Sequence, residues 1–150
     1  MKAKSLTRKT VIIALAGAII GLGMHGCKDS KNAGVCYKQG VARLEKGEHD
    51  AAISDLTKAI KMRPRFAMAH FYRGRAYFRK GDHDKALSDL TEAIELDPAL
   101  AVAYAERSVI HFIRKEYDKV WENIHKQESL GLEARTGFLK ALREASGRTK

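Results

Sequence analysis

The chain of 150 residues is 45% apolar and 31% charged, which bounds it at one small globular domain. Its net charge of +10 would ordinarily put nucleic acid or anionic lipid among its partners. Four of the basic residues, Lys2, Lys4, Arg8 and Lys9, lie in an acid-free leader, so the chain from Cys27 onward carries only +6, compatible with resting near anionic headgroups.

Behind those basic residues runs an uninterrupted apolar stretch from Val11 to Gly23. At about 1.5 Å per residue it reaches about 20 Å, short of the roughly 30 Å that a spanning helix must cross, so it reads as the apolar region of a signal peptide over residues 1–26. The run Met24-His25-Gly26-Cys27 resembles the bacterial lipobox. Gly26 has the small side chain that pattern requires, whereas Met24 and His25 depart from its usual residues. The resemblance implies cleavage before Cys27 and a lipid on its sulfur; an uncleaved anchor and ordinary secretory cleavage are the alternatives. Lys28, in place of Asp, is similar to lipoproteins sent on to an outer membrane, so the resemblance implies a membrane anchor facing the periplasm, outer membrane favoured over inner. Residues 27–32 are then a polar tether. With Cys27 lipidated, Cys36 has no partner for a disulfide and is read as a small buried hydrophobe on a helix.

From Ala33 the chain repeats. Residues 33–66 and 67–100 share about 15 identical positions at a shift of 34. These include Gly40 and Gly74, Lys46-Gly47 and Lys80-Gly81, His49-Asp50 and His83-Asp84, the runs Ser54-Asp55-Leu56-Thr57 and Ser88-Asp89-Leu90-Thr91, and Pro64 and Pro98. A third, worn copy over residues 101–134 keeps Tyr104, Ser108, Tyr117-Asp118, Val120 and Ile124 but loses the glycines and the proline.

Each copy decodes as two helices. In the second copy Ala69, Tyr72, Ala76 and Tyr77 recur at helical spacing, then Ala86, Leu87, Leu90, Ala93 and Ile94 do so again. Gly47 and Gly81 sit between the two, where a left-handed turn suits glycine. Lys46, Lys80 and Arg114 close the first helices and Asp50, Asp84 and Asp118 open the second, each sign matching the helix dipole. Gly40, Gly74 and Ser108 leave room for Ala52, Ala86 and Val120 to press close. Residues 135–150 hold a further amphipathic segment, with Phe138, Leu139, Leu142 and Ala145 on one face, suited to covering the end of the array.

Chemistry finds little footing. His49 and His83 repeat with the fold, at a position taken by Tyr117 in the third copy, and are assigned to packing and capping rather than to a metal; His70 and His111 fall at packing positions. Asp55, Asp89, Glu92 and Glu95 are placed on polar faces, where charge is solvated. No pattern for a catalytic metal, a phosphate loop or a nucleophile elbow is present, so no enzyme, cofactor or metal is expected.

On its 34-residue period and these recurring residues, the chain resembles the tetratricopeptide-repeat family. The resemblance implies an all-α fold, a right-handed superhelix of three repeats with a C-terminal capping helix. It also implies a concave groove lined by first helices, here Tyr37, Val41 and Leu44, then Phe71, Arg75 and Phe78, then Ala105, Val109 and Phe112. One subclass grips C-terminal carboxylates with Lys, Asn and Arg, but the matching places hold Tyr37, Val41, Tyr72, Val102 and Glu106, so that clamp is absent. The expected function is a protein-interaction scaffold of a bacterial cell envelope that holds a peptide segment, helical or extended, in this groove, with Arg75 orienting it. Packing against neighbouring helices is the other role open to Tyr37, Leu44, Phe71, Phe78 and Phe112, and Trp121 is assigned to packing against the cap. The alternative function is binding of anionic polymers or lipid headgroups by surface charge. An uncovered first repeat also leaves room for pairing with a second copy.

Overall fold

The computed structural model describes residues 31–148, so the leader, Cys27 and most of the tether lie outside the described residues. Seven helices follow in order: α1 (Ala33–Glu45), α2 (His49–Met62), α3 (Ala67–Arg79), α4 (His83–Leu96), α5 (Ala101–Ile113), α6 (Tyr117–Ser129) and α7 (Thr136–Ser146). No strand occurs among the described residues. Each helix from α1 to α5 packs on the next, α6 meets α7 through a side-chain cluster, and the first helices α1, α3 and α5 also touch in succession, which is the geometry of a solenoid.

Local chemistry sets the helix ends. Asn32 caps α1 by accepting from the backbone N–H of Gly34 and Val35. The turns inside the first two pairs are left-handed at Gly47 and Gly81, with φ of 78° and 81°. In the third pair Lys115 takes the same conformation with φ 59°, a geometry that a side chain disfavours by about 1–2 kcal/mol. The turn thus stays in place without the glycine.

Close approach sets the pairing. Cys36, Ala52, Leu56, Ala59, Ala69 and Ala76 form one fully buried cluster across the first two repeats. Phe71, Leu90, Ala93, Ala103, Tyr104 and Ile110 belong to a second, between repeats two and three. Val120, Trp121, Ile124 and Leu142 form a third, which joins α6 to α7 and confirms Trp121 as a packing residue. Leu142 lies 34 residues after Ser108, in the series Gly40, Gly74, Ser108. In the repeats that position is small because a second helix presses on it. In α7 it is a fully buried leucine that closes the core instead.

Three exposed ion pairs tie each repeat to the next. Lys80 reaches Asp50, Arg114 reaches Asp84 at 2.5 Å, and Arg148 reaches Asp118, every pair 30 residues apart. The acid side chains are largely in water, so the ladder records the register of the stack more than it stabilises it. Arg148 extends the ladder into the segment after α7, so the cap occupies the place of a fourth first helix.

A Cβ on Gly40 would stand 2.6 Å from Leu56 Cγ and 3.3 Å from the Ala52 carbonyl, whereas on Gly74 its nearest neighbour would be 3.2 Å away. Gly40→Ala is therefore expected to destabilise the fold by about 1–3 kcal/mol, read as a lower urea midpoint, and Gly74→Ala by less. Equal midpoints for wild type and Gly40→Ala would contradict the tight crossing.

Candidate functional site

A buried polar layer, which the sequence reading placed in solvent, holds the helices at fixed spacing. Asp55 and Asp89 are 2% and 5% exposed, not solvated, because α1 and α3 cover them. Arg73 donates through Nε and Nη2 to both Asp89 oxygens, each at 2.7 Å, and through Nη1 to Thr57 Oγ1 of the preceding repeat at 3.2 Å. One guanidinium therefore joins α3, α4 and α2. Arg107 repeats the arrangement on α5, reaching Asn123 Oδ1 at 2.8 Å and Thr91 Oγ1 at 3.4 Å. Arg43 meets Asp55 at 2.7 Å in the first repeat. The recurrence of Arg73 and Arg107, and of Thr57 and Thr91, at 34 residues was the available signal. Glu92 and Glu95 are exposed, as expected.

His70, His83 and His111 are packing groups. His70 Nε2 meets the Pro64 carbonyl at 2.9 Å, a position from which Tyr104 donates to Pro98 in the next repeat at 3.3 Å. His111 Nδ1 meets Glu116 at 2.6 Å. The His83 ring lies 5.7 Å from Phe78. Among the described residues no group of three or more His, Cys, Asp or Glu gathers in a way that could hold a metal. Cys36 is fully buried, as expected, but is disulfide-bonded, which corrects the reading of a chain without a disulfide; the other cysteine of the sequence, Cys27, lies outside the described residues.

Most of the aromatic residues assigned to the groove are engaged in packing. Tyr37 lies 4.8 Å from the Phe66 ring and 5.7 Å from Tyr72. Phe71 is only 4% exposed and packs edge-on to Tyr72, so it is core and offers a partner almost no surface. Phe112 sits against Phe138 of the cap, and Leu44 and Phe78 pack at the edges of the buried clusters. Arg75 is paired with Glu106 at 3.0 Å, linking α3 to α5, with its guanidinium over the Phe71 and Tyr72 rings. That pairing engages the charge that was expected to orient a ligand.

Open apolar surface survives on α5. Val102 and Ile113 are 40% and 49% exposed, and the half-buried Ala105 and Val109 lie between them. Spacings of three, four and four residues put all four on one helix face. Val35 adds an exposed apolar residue on α1. The sequence reading named Ala105 and Val109 but missed Ile113 and used Val102 only to exclude the clamp.

Residues 37–101 match the family model described as tetratricopeptide repeat. Among solved structures, the first tetratricopeptide domain of Spaghetti (RPAP3), bound to the HSP90 peptide SRMEEVD, is 26% identical with a TM-score of 0.70 over 83% of this chain and 97% of that one. A crystal structure of MamA protein is 25% identical with a TM-score of 0.71, over 93% of this chain and 78% of that one. The TPR2B domain of yeast Sti1, in complex with pHsp70, is 24% identical with a TM-score of 0.65, covering 79% and 93% of the two chains, a likeness of fold alone. No curated protein matches the chain. The described domain has the fold of a tetratricopeptide solenoid.

Pairing with Asp89 raises the pKa of His70 above its ordinary 6.5 even though burial pulls the other way. Burial pushes Asp89 up, but Arg73 and His70 more than offset it and hold the carboxyl low. The His70 contribution to stability is therefore complete below pH 6.5 and is lost as pH rises through the raised folded value, while Asp89 loses its contribution only in acid. The melting-temperature gap between wild type and His70→Gln should be wider at pH 5.5 than at pH 8.5. A gap independent of pH would show that the Asp89 contact does not favour the charged ring.

Proposed function

We propose that this tetratricopeptide-repeat chain is a protein-interaction scaffold that holds an apolar peptide segment against its first helices, and that it works in a bacterial cell envelope. The observation that carries the reading is the exposed stripe Val102, Ala105, Val109 and Ile113 on α5, an apolar face left uncovered on a first helix. The Spaghetti domain, similar over most of both chains, holds a peptide. The peptide proposed here differs in kind: Tyr37, Val41, Tyr72, Val102 and Glu106 offer no basic clamp for a terminal carboxylate. Apolar side chains on the partner, seated along α5, fit the lining better, with the Arg75–Glu106 pair as a polar flank.

Surface charge gives weaker support to the anionic-polymer reading. Arg73, Arg75, Lys80, Arg114 and Arg148 each meet a carboxylate, which removes five basic residues from such a surface. For the groove, a crosslinking pull-down should lose its partner at least tenfold in the Val102→Glu/Ile113→Glu double variant. Because both side chains are exposed, stability should move by no more than about 0.5 kcal/mol per site. Undiminished recovery from a folded variant would place binding on another surface.

Export is supported by the basic leader and short apolar run ahead of Cys27. Lipid on Cys27 and a bond from Cys27 to Cys36 would compete for the same sulfur, since a thioether sulfur forms no disulfide. Either fate fits an extracytoplasmic domain, because disulfides persist in oxidising compartments. Under the lipid reading, metabolic fatty-acid labelling is expected in the wild type and absent in Cys27→Ala. An unlabelled wild-type chain whose mass rises on thiol alkylation only after reduction would replace the anchor with ordinary secretory cleavage.

A further inference from the structure

Repeats one and two bury an acid where repeat three buries an amide. Asp55, Asp89 and Asn123 follow one another at 34 residues and are all at most 5% exposed. In repeat two the acid neutralises Arg73 through two bonds of 2.7 Å. In repeat three Arg107 donates Nε to Asn123 Oδ1 and Nη1 to Thr91, while the Asn123 amide nitrogen donates to the Lys119 carbonyl at 2.6 Å. The amide is thus held with its oxygen toward the guanidinium, and it brings no charge. Among the described residues no carboxylate lies within ion-pair distance of Arg107, and its Nη2 donates to none of them. Burial pulls the Arg107 pKa below its ordinary value, more strongly than Tyr104 and Glu122 raise it.

Arg107 also borders a cavity of about 510 Å³ between α4, α5 and α6. Tyr104, His125, Lys126 and Ser129 share its wall, with Glu122 as the one acid. None of the residues of the groove or of the α5 stripe lines it, so this site stands independently of the peptide-holding face.

We infer that this cavity binds a carboxylate side chain of an acidic peptide, which supplies to Arg107 the charge that Asp89 supplies to Arg73. The slot is built for a carboxylate in the neighbouring repeat, with the same Arg and Thr around it. Lys126 adds a second cation, and Ser129 a hydroxyl. A phosphate dianion would face Glu122 with twice the repulsion, which favours the singly charged ligand.

The test follows the Arg107 Nε–Hε signal by nitrogen-edited NMR in the purified full chain. The probe is an end-capped pentapeptide of alternating glutamate and serine, whose only charges are side-chain carboxylates. A saturable shift is expected. Asn123→Asp, which restores the internal acid, should weaken the peptide at least tenfold and raise the melting temperature. Lys126→Ser should weaken it severalfold with the melting temperature unchanged, so that loss of binding is separated from loss of fold. The inference is overturned by the absence of a saturable shift, by equal affinity in Asn123→Asp, or by inorganic phosphate binding more tightly than the peptide.

Discussion

The narrow gap between paired helices at residues 40, 74 and 108 is the constraint on which the rest of the architecture depends. Only at that spacing can Ala52, Leu56 and Ala59, or Ala86, Leu90 and Ala93, lose all contact with water against a first helix. Small residues on both sides turn weak dispersion contacts into a continuous core, since each contributes little alone and many act together. Where the array ends, the same position becomes Leu142, and a side chain fills the volume that a second helix fills elsewhere. One position thus decides whether the solenoid continues or closes.

The polar layer works within that frame. A buried Arg–Asp pair costs desolvation on both partners and is weak evidence for stability by itself. Its contribution here is geometric: Arg73 satisfies the Asp89 carboxylate and a threonine of the preceding repeat together, so the rotation of one repeat on the next is fixed by hydrogen bonds that allow few alternatives. Asn123 keeps the geometry in the third repeat and removes the charge. A worn repeat is therefore not merely a degraded one, because Asn123 still accepts from the arginine while bringing no charge to it.

Open apolar surface in this chain is what packing leaves over. The aromatic residues on the first helices seal the contacts between repeats: Tyr37 against Phe66, Phe71 against Tyr72, Phe112 against the cap. Apolar residues with smaller side chains on α5 stay exposed because no described segment covers them. Size and hydrophobicity thus pull the aromatic residues into the core first, and the apolar surface left open is the aliphatic stripe between Val102 and Ile113.

The sequence by itself determined the helices, their pairing and the period of 34, because these rest on local spacing, turn glycines and the identity of two copies position by position. It also marked which residues are small where helices cross. Only the tertiary structure decided which polar residues are buried and which apolar residues are not. Asp55 and Asp89 fall on polar helix faces when each helix is read alone, yet another helix lies across them and an arginine neutralises them. Phe71 carries the right spacing for the groove, yet its ring turns into the contact between repeats two and three. Helical periodicity defines a face, but the packing partner and the rotamer decide whether a side chain on that face meets protein or water.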